Sequence, residues 1–313
     1  MMPLENSTLW LAGYIPDLPT PFDESGEIDL TAFERHCERQ IQAGVSAIVV
    51  GETAGEASTL TPAEHDAIIR TAVKTARGRV RVIAGAGSNS TTQAIELTRQ
   101  AELAGADAVL SVVPYYNKPM QGGIEAHFRA IAISTTLPII LHDIPARTIR
   151  ELSDDTLARL SQSRRFIGLR DATGDLARPM RLRSTVPSGF RLLSGDDATA
   201  LAFLACGGAG CISLVSNVTP DLCRETFLSF RQGRLQCARF LQKRVERLTE
   251  ELSKDSPASL KYALSLLGLM RPDTRLPLTQ LHGQAADDMA RVLAGLPGED
   301  LVPPDEDLVA EQA

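Results

Sequence analysis

The chain has 313 residues and a formal charge of −7, with 43% hydrophobic, 23% charged and only 4% aromatic residues. That length buries a large core without disulfide staples, and an acidic balance with no basic cluster argues against a nucleic-acid partner. No apolar run reaches the ~20 residues of a membrane span, and MMPLENSTLW lacks a basic-then-apolar leader pattern, so no membrane partner is expected.

Short β-branched apolar runs alternate with helix-period segments. Candidate strands centre on Leu11, Ile48, Ile83, Leu110, Ile140, Gly168, Leu192 and Ile212. From Ile48 onward they recur about every 20 to 35 residues, the repeat of βα units. AIVV, VLSVV and IIL are continuously apolar, as parallel strands covered on both faces should be. Between them, Leu30, Phe33, Cys37 and Ile41 form one helical stripe, Ile68 to Ala76 a second, and Ala94, Leu97, Ala101 and Ala104 a third. Thr61-Pro62 opens the second of these helices, and Ser90 or Thr91 caps the third. Eight strands, each followed by a helix and with no GxGxxG after the first, predict a (β/α)8 TIM barrel over 1–218. After Ile212 only helical periodicity remains, which predicts a C-terminal helical bundle over 219–295 packed on the barrel. The acidic, proline-bearing tail over 296–313 is expected to be poorly ordered.

The five cysteines, Cys37, Cys206, Cys211, Cys223 and Cys237, are odd in number and contain no CxxC pair, which suits a reducing cytoplasm and not a zinc ribbon. His36, His65, His127 and His282 share no metal-ligand spacing and read as surface or helix residues, so no metal is expected.

In such a barrel the chemistry sits at the C-terminal ends of the strands and in the loops that follow. That rule selects Thr53 and Glu56 after strand 2, Tyr115, Tyr116, Asn117 and Lys118 after strand 4, and His142 and Asp143 at the end of strand 5. It adds Arg147, then Arg170 and Asp171 on strand 6, Ser194, Asp196 and Asp197 after strand 7, and Ser216 and Asn217 after strand 8. Asp196 and Asp197 read as caps of the following helix. Side chains alternate along a strand, so Ile140 with His142, and Gly168 with Arg170, share a face. If that face is the lumen, His142 and Arg170 meet above the core.

At these residues the chain resembles the dihydrodipicolinate synthase / N-acetylneuraminate lyase family over about 9–295. The resemblance is carried by ETAGEASTL (52–60), PYYN (114–117), IPART (144–148), GLRDATG (168–174) and LSGDD (193–197). It implies a barrel with a helical extension, usually a homotetramer, that condenses or cleaves pyruvate through a lysine imine with no metal or organic cofactor. It further implies that Thr53 and Tyr116 belong to a proton relay, the tyrosine reaching across a dimer interface. Arg147 would bind the second substrate's carboxylate, and the Ile212 backbone would line the pyruvate pocket. Four positions depart from the family pattern. Glu52 replaces a glycine and Ala54 a threonine of the loop, His142 stands at the relay tyrosine, and Arg170 stands at the imine-forming lysine.

Imine formation requires a neutral amine. At pH 7 a lysine of pKa about 10.4 needs roughly 4–5 kcal/mol to lose its proton, and burial lowers that cost. An arginine near 13.8 needs about 9 kcal/mol and remains a poor nucleophile. Of the five lysines, Lys74 falls on an outer helix, Lys243, Lys254 and Lys261 fall in the C-terminal bundle, and only Lys118 falls in a loop at the catalytic end. The usual imine chemistry is therefore not expected. A guanidinium instead pairs with a carboxylate, which leaves two roles for Arg170: a clamp for a small oxo or hydroxy acid, with His142 as acid/base, or an internal ion pair with Glu52. Three functions stay open: a lyase working by acid/base chemistry on a small oxo acid, a non-catalytic carboxylate binder, and a hydrolase or isomerase on the same barrel.

Overall fold

The computed structural model describes residues 8–296, so the tail expected over 296–313 lies, Leu296 apart, outside the described residues. Eight strands carry the fold: β1 (Gly13–Pro16), β2 (Ala47–Val50), β3 (Arg81–Gly85), β4 (Ala108–Val112), β5 (Ile139–Asp143), β6 (Phe166–Asp171), β7 (Arg191–Ser194) and β8 (Gly210–Ser213). Every ladder is parallel, in the order β1-β8-β7-β6-β5-β4-β3-β2. Between β1 and β2 no ladder runs among the described residues. A bridge between Asp17 and Val49, with the Leu18 N–H donating to the Val49 carbonyl at 2.9 Å, closes the ring. The eight-strand barrel is therefore observed, with its first strand beginning two residues after Leu11, its expected centre. Leu11 lies in a turn instead and plugs the lumen below β1.

Helices follow the strands, and their starts obey the capping chemistry. Asp29 caps α1 (Leu30–Gln42) by accepting from the Ala32 N–H. Thr61 and Glu64 form a reciprocal capping box at α2 (Pro62–Ala76), with Pro62 at the first helical position. Ser90 caps α3 (Thr91–Ala104). Five more helices complete the wall: α4 (Gln121–Ile133), α5 (Pro145–Thr148), α6 (Asp154–Ser161), α7 (Arg178–Leu182) and α8 (Ala200–Ala205). After β8 come α9 (Pro220–Arg231), α10 (Leu235–Lys254), α11 (Ala258–Leu266) and α12 (Gly283–Ala294). Leu241, Leu248, Leu260 and Leu264 of these helices bury against Tyr14, Ala54 and Cys211 of the barrel. Each such side chain contributes about 1.5–3 kcal/mol. Among the described residues no helix is long and apolar enough to cross a membrane.

The lumen is filled by Leu11, Ile15, Val49, Ile83, Leu110, Ile140, Leu193 and Ile212. Strand alternation then dictates what caps this apolar plug: two residues beyond Ile15 comes Asp17, beyond Ile140 comes His142, and beyond Gly168 comes Arg170. The fold thus turns three polar side chains into the mouth of a dry barrel.

Candidate active site

His142 and Arg170 are register partners on β5 and β6, at 0% and 4% exposure. Arg170 Nη1 donates to Asp17 Oδ2 at 2.9 Å and to Glu52 Oε2 at 3.2 Å. The other oxygen of Glu52, Oε1, lies 3.0 Å from His142 Nδ1. The result is one continuous buried network, Asp17–Arg170–Glu52–His142. The Glu52–Arg170 pair anticipated from sequence is present, and Asp17 shares the same nitrogen.

Three atoms of this network have no hydrogen-bond partner: Asp17 Oδ1, Arg170 Nε and His142 Nε2. Buried groups of this kind cost free energy, so their clustering at a barrel mouth marks a place where a polar guest is stabilised. A carboxylate can only accept, so Glu52 assigns the proton to His142 Nδ1 and leaves Nε2 with its lone pair.

Burial is the largest influence on each ionisable member. It raises the Asp17 carboxyl to about 7, because the attraction of Arg170 is opposed by the neighbouring Glu52. Like charges about 5 Å apart repel by about 3 kcal/mol at an effective dielectric near 20, enough to keep two carboxylates from sharing one cation cheaply. Glu52 goes the other way: burial raises it, but His142, Arg170 and the Thr53 N–H carry it below the ordinary carboxylate range. His142 is lowered, chiefly by burial and with help from Arg170, so its ring is neutral near pH 7.

Above the network lies a cavity of about 500 Å³, lined by Glu52, Thr53, Glu56, Tyr115 and Arg147 together with Ser256–Pro257 and Pro277–Leu278 of the C-terminal segment. Glu52 joins the two, facing the cavity while it bonds to Arg170 and His142. The loop that carries it packs without slack: a Cβ on Gly85 would come within 2.2 Å of the Gly51 carbonyl oxygen and 3.0 Å of Glu52 Cα.

Of the residues selected from sequence, Thr53 and Arg147 line the cavity. Arg147, exposed, also donates to the Ser256 carbonyl at 3.4 Å. Ala54 is fully buried and presents its N–H to the Asp17 carboxylate. Ile212 belongs to the apolar plug. Ala54, Arg170 and Ile212 therefore sit below the cavity and are not part of its lining. Tyr116 is 88% exposed in the left-handed region at φ 69° and stands outside the cavity, whereas its neighbour Tyr115 lines it. Asp143 and Asp171 point away from the lumen and hold the buried Arg178. Asp196 caps the turn before α8 through the Ala198 N–H, but Asp197 does not cap that helix. It accepts instead from the Leu214 and Val215 N–H groups and ties the β7 loop to the end of β8. Asn217 donates to the Asp17 carbonyl at 2.9 Å, anchoring the acid's backbone.

Two groups lie deeper than local pattern tells. His36, His65 and His127 are helix residues, as expected, and each is buried, on Asn217, the Gly85 carbonyl and Thr91 respectively. No group of three or more potential ligands that could hold a metal occurs among the described residues. Lys261 falls in the C-terminal helices as expected, on α11, but it faces the barrel. Its buried Nζ reaches the β2 loop, 2.5 Å from Glu56 and 2.8 Å from the Asp273 carbonyl, over the face of Phe22. Burial lowers this amine to about 8, while Glu56 holds it charged. Lys261→Met strands Glu56 in the interior and should cost about 3–5 kcal/mol in a thermal or denaturant unfolding experiment. Lys118 is exposed, and none of the five lysines lines the cavity.

Comparison with known proteins agrees with this architecture. The model of the dihydrodipicolinate synthetase family matches residues 10–295. The 4-hydroxy-tetrahydrodipicolinate synthase of Hyphomonas neptunium is 47% identical over 289 residues, covering 91% of this chain and 98% of that protein. The corresponding synthase of Phenylobacterium zucineum is 46% identical over 285 residues, 91% and 96% of the two chains. The dihydrodipicolinate synthase structure from Bacillus anthracis superimposes with a TM-score of 0.89 at 38% identity, covering 91% of this chain and 98% of its own. A chloride-inhibited synthase from Acinetobacter baumannii, solved with pyruvate, gives a TM-score of 0.88 at 38% identity, with 91% and 99% covered. A barrel closed in this strand order, with its polar groups at the strand tips and relatives matched along nearly their whole length, leads to one assignment: the chain belongs to the dihydrodipicolinate synthetase family.

Proposed function

We propose that this chain is a lyase-type member of its family that binds a small oxo acid such as pyruvate and works on it by acid/base chemistry, without a lysine imine. The observation that carries this reading is the pair at the strand tips: a permanent cation, Arg170, in register with a neutral imidazole whose Nε2 is unpartnered. Arg170 clamps the carboxylate or the carbonyl oxygen of the guest. His142 Nε2 takes a proton from the carbon beside the carbonyl, and the electron pair left behind moves onto the carbonyl oxygen, where the guanidinium stabilises it. Thr53 and Arg147 position the remainder of the ligand from the cavity wall, Arg147 as a second carboxylate contact. Tyr116 completes the site from a neighbouring copy in a cytoplasmic homodimer or tetramer. Its 88% exposure, with Met120 at 76% beside it, supports such a contact. No metal or organic cofactor enters the scheme.

A second reading, a carboxylate binder without turnover, is favoured by one observation: Arg170 Nη1 already holds two internal carboxylates. Borohydride reduction in the presence of pyruvate, followed by intact-mass measurement, tests the shared claim. The expected result is an unmodified chain, and a stoichiometric adduct at any residue overturns it. Turnover of an oxo acid that drops sharply in His142→Ala selects the lyase, whereas binding without turnover selects the second reading.

A further inference from the structure

The lumen holds two carboxylates and one guanidinium. Both acids reach the same nitrogen, so neither has the cation to itself. They are not equally placed. Glu52 has two further donors, the His142 ring and the Thr53 N–H, and lies at the cavity. Asp17 is fully buried, with one oxygen on Arg170, a backbone N–H from Ala54, and its Oδ1 without a partner. Arg170 Nε has no partner, so an anion arriving there adds a third negative charge beside the two acids, and the acid with less other support is neutralised first.

We propose that Asp17 couples anion binding to proton uptake: when a ligand carboxylate reaches the unpartnered Nε of Arg170, the Asp17 carboxylate takes one proton from solvent. This rests on the reading that a small oxo acid binds here, and it adds a residue that fixes the charge the site accepts. The step balances: solvent loses one proton, the Asp17 carboxylate becomes a neutral carboxylic acid, and the ligand's negative charge takes the place of the one that Asp17 loses. The Asp17 side chain faces Arg170 from β6, Glu52 and the Ala54 N–H from the β2 loop, with His142 next in the network from β5. Cys211 of β8 senses the same guanidinium. Of these, Arg170 stays charged, Glu52 stays ionised against its three donors, and the buried Cys211 thiol is pushed well above its usual value. His142 is the one competing acceptor. Burial has already raised Asp17 toward the neutral form, which makes the uptake accessible near physiological pH.

The test is isothermal titration of the full chain with pyruvate in buffers of different ionisation enthalpy. Near pH 8 close to one proton should be taken up per pyruvate bound, falling toward zero near pH 5.5. Above pH 7 the affinity should drop about tenfold per pH unit. Asp17→Asn should abolish the uptake and flatten the affinity across this range, with its pH 8 affinity equal to or above that of the unaltered chain. His142→Gln should retain the uptake. Binding without proton uptake, or uptake that persists in Asp17→Asn and vanishes in His142→Gln, overturns the assignment of Asp17 while leaving the oxo-acid reading intact. Absence of pyruvate binding to the unaltered chain at any pH overturns both.

Discussion

A chain carrying Arg170→Lys together with His142→Tyr should still fail to trap pyruvate under borohydride. The substituted lysine would inherit the surroundings of Arg170, namely Asp17 at 2.9 Å and Glu52 at 3.2 Å from the nitrogen it replaces. Two carboxylates favour an ammonium, so the lysine keeps a pKa at or above its ordinary 10.4, and fewer than about one molecule in a thousand carries the free amine at pH 7. Removing both acids reverses the balance. A lysine buried among Ile15, Ile140 and Ile212 is pushed down by up to 3–5 units. The fourfold variant Asp17→Ala, Glu52→Gly, His142→Tyr, Arg170→Lys should therefore form the adduct at least a hundredfold faster than the double variant. Intact mass after borohydride reduction reads both. Equal trapping by the two would show that the carboxylates do not control the amine.

The same network makes a second large effect. Arg170→Met leaves Asp17 and Glu52 buried without their cation, which costs about 3–5 kcal/mol. For a chain of this size that corresponds to a fall in Tm of roughly 6–15 °C. The deficit should depend on pH, with a definite sign. Without Arg170 the two acids have folded-state pKa values raised above their unfolded values. The native state then binds more protons than the unfolded chain, and stability falls as pH rises through the folded values. The loss is thus smallest near pH 5 and greatest near pH 8. Neutralising all three members together, in Asp17→Asn, Glu52→Gln, Arg170→Met, should restore the Tm to within a few degrees of the starting protein, because no unpaired charge remains. Thermal unfolding at the two pH values checks both claims. A triple variant as unstable as Arg170→Met would mean that the network's worth lies in packing and not in charge.

Much of this site was legible in the sequence, for a physical reason. Period-two alternation fixes which strand residues share a face, so the meeting of His142 with Arg170 follows from placing Ile140 and Gly168 on strands. The Glu52–Arg170 pair, one of the two roles open to Arg170, follows from the departure of both residues from the family pattern. Asp17 escapes because the apolar pattern centres strand 1 on Leu11, whereas the strand runs from Gly13 to Pro16. The parity that selects His142 from Ile140 selects Asp17 from Ile15 once that strand is placed correctly. Lys261 escaped for a different reason. Its partner Glu56 lies some 200 residues away, and helical periodicity says which way a side chain faces but not what stands opposite. The buried histidines show the same limit: each bonds one ring nitrogen to a group from a distant segment, and local pattern carries no trace of it.

Asp17 also makes the bridge to Val49 that closes the barrel between β1 and β2, where the other seven junctions have ladders. Fluctuations that admit water cost least where the fewest backbone bonds must break. The acid buried deepest in the lumen is therefore also the one nearest the weakest stave of the hoop. The Leu18 amide, which donates to the Val49 carbonyl at this junction, should therefore exchange its hydrogen with solvent faster than amides inside the seven ladders.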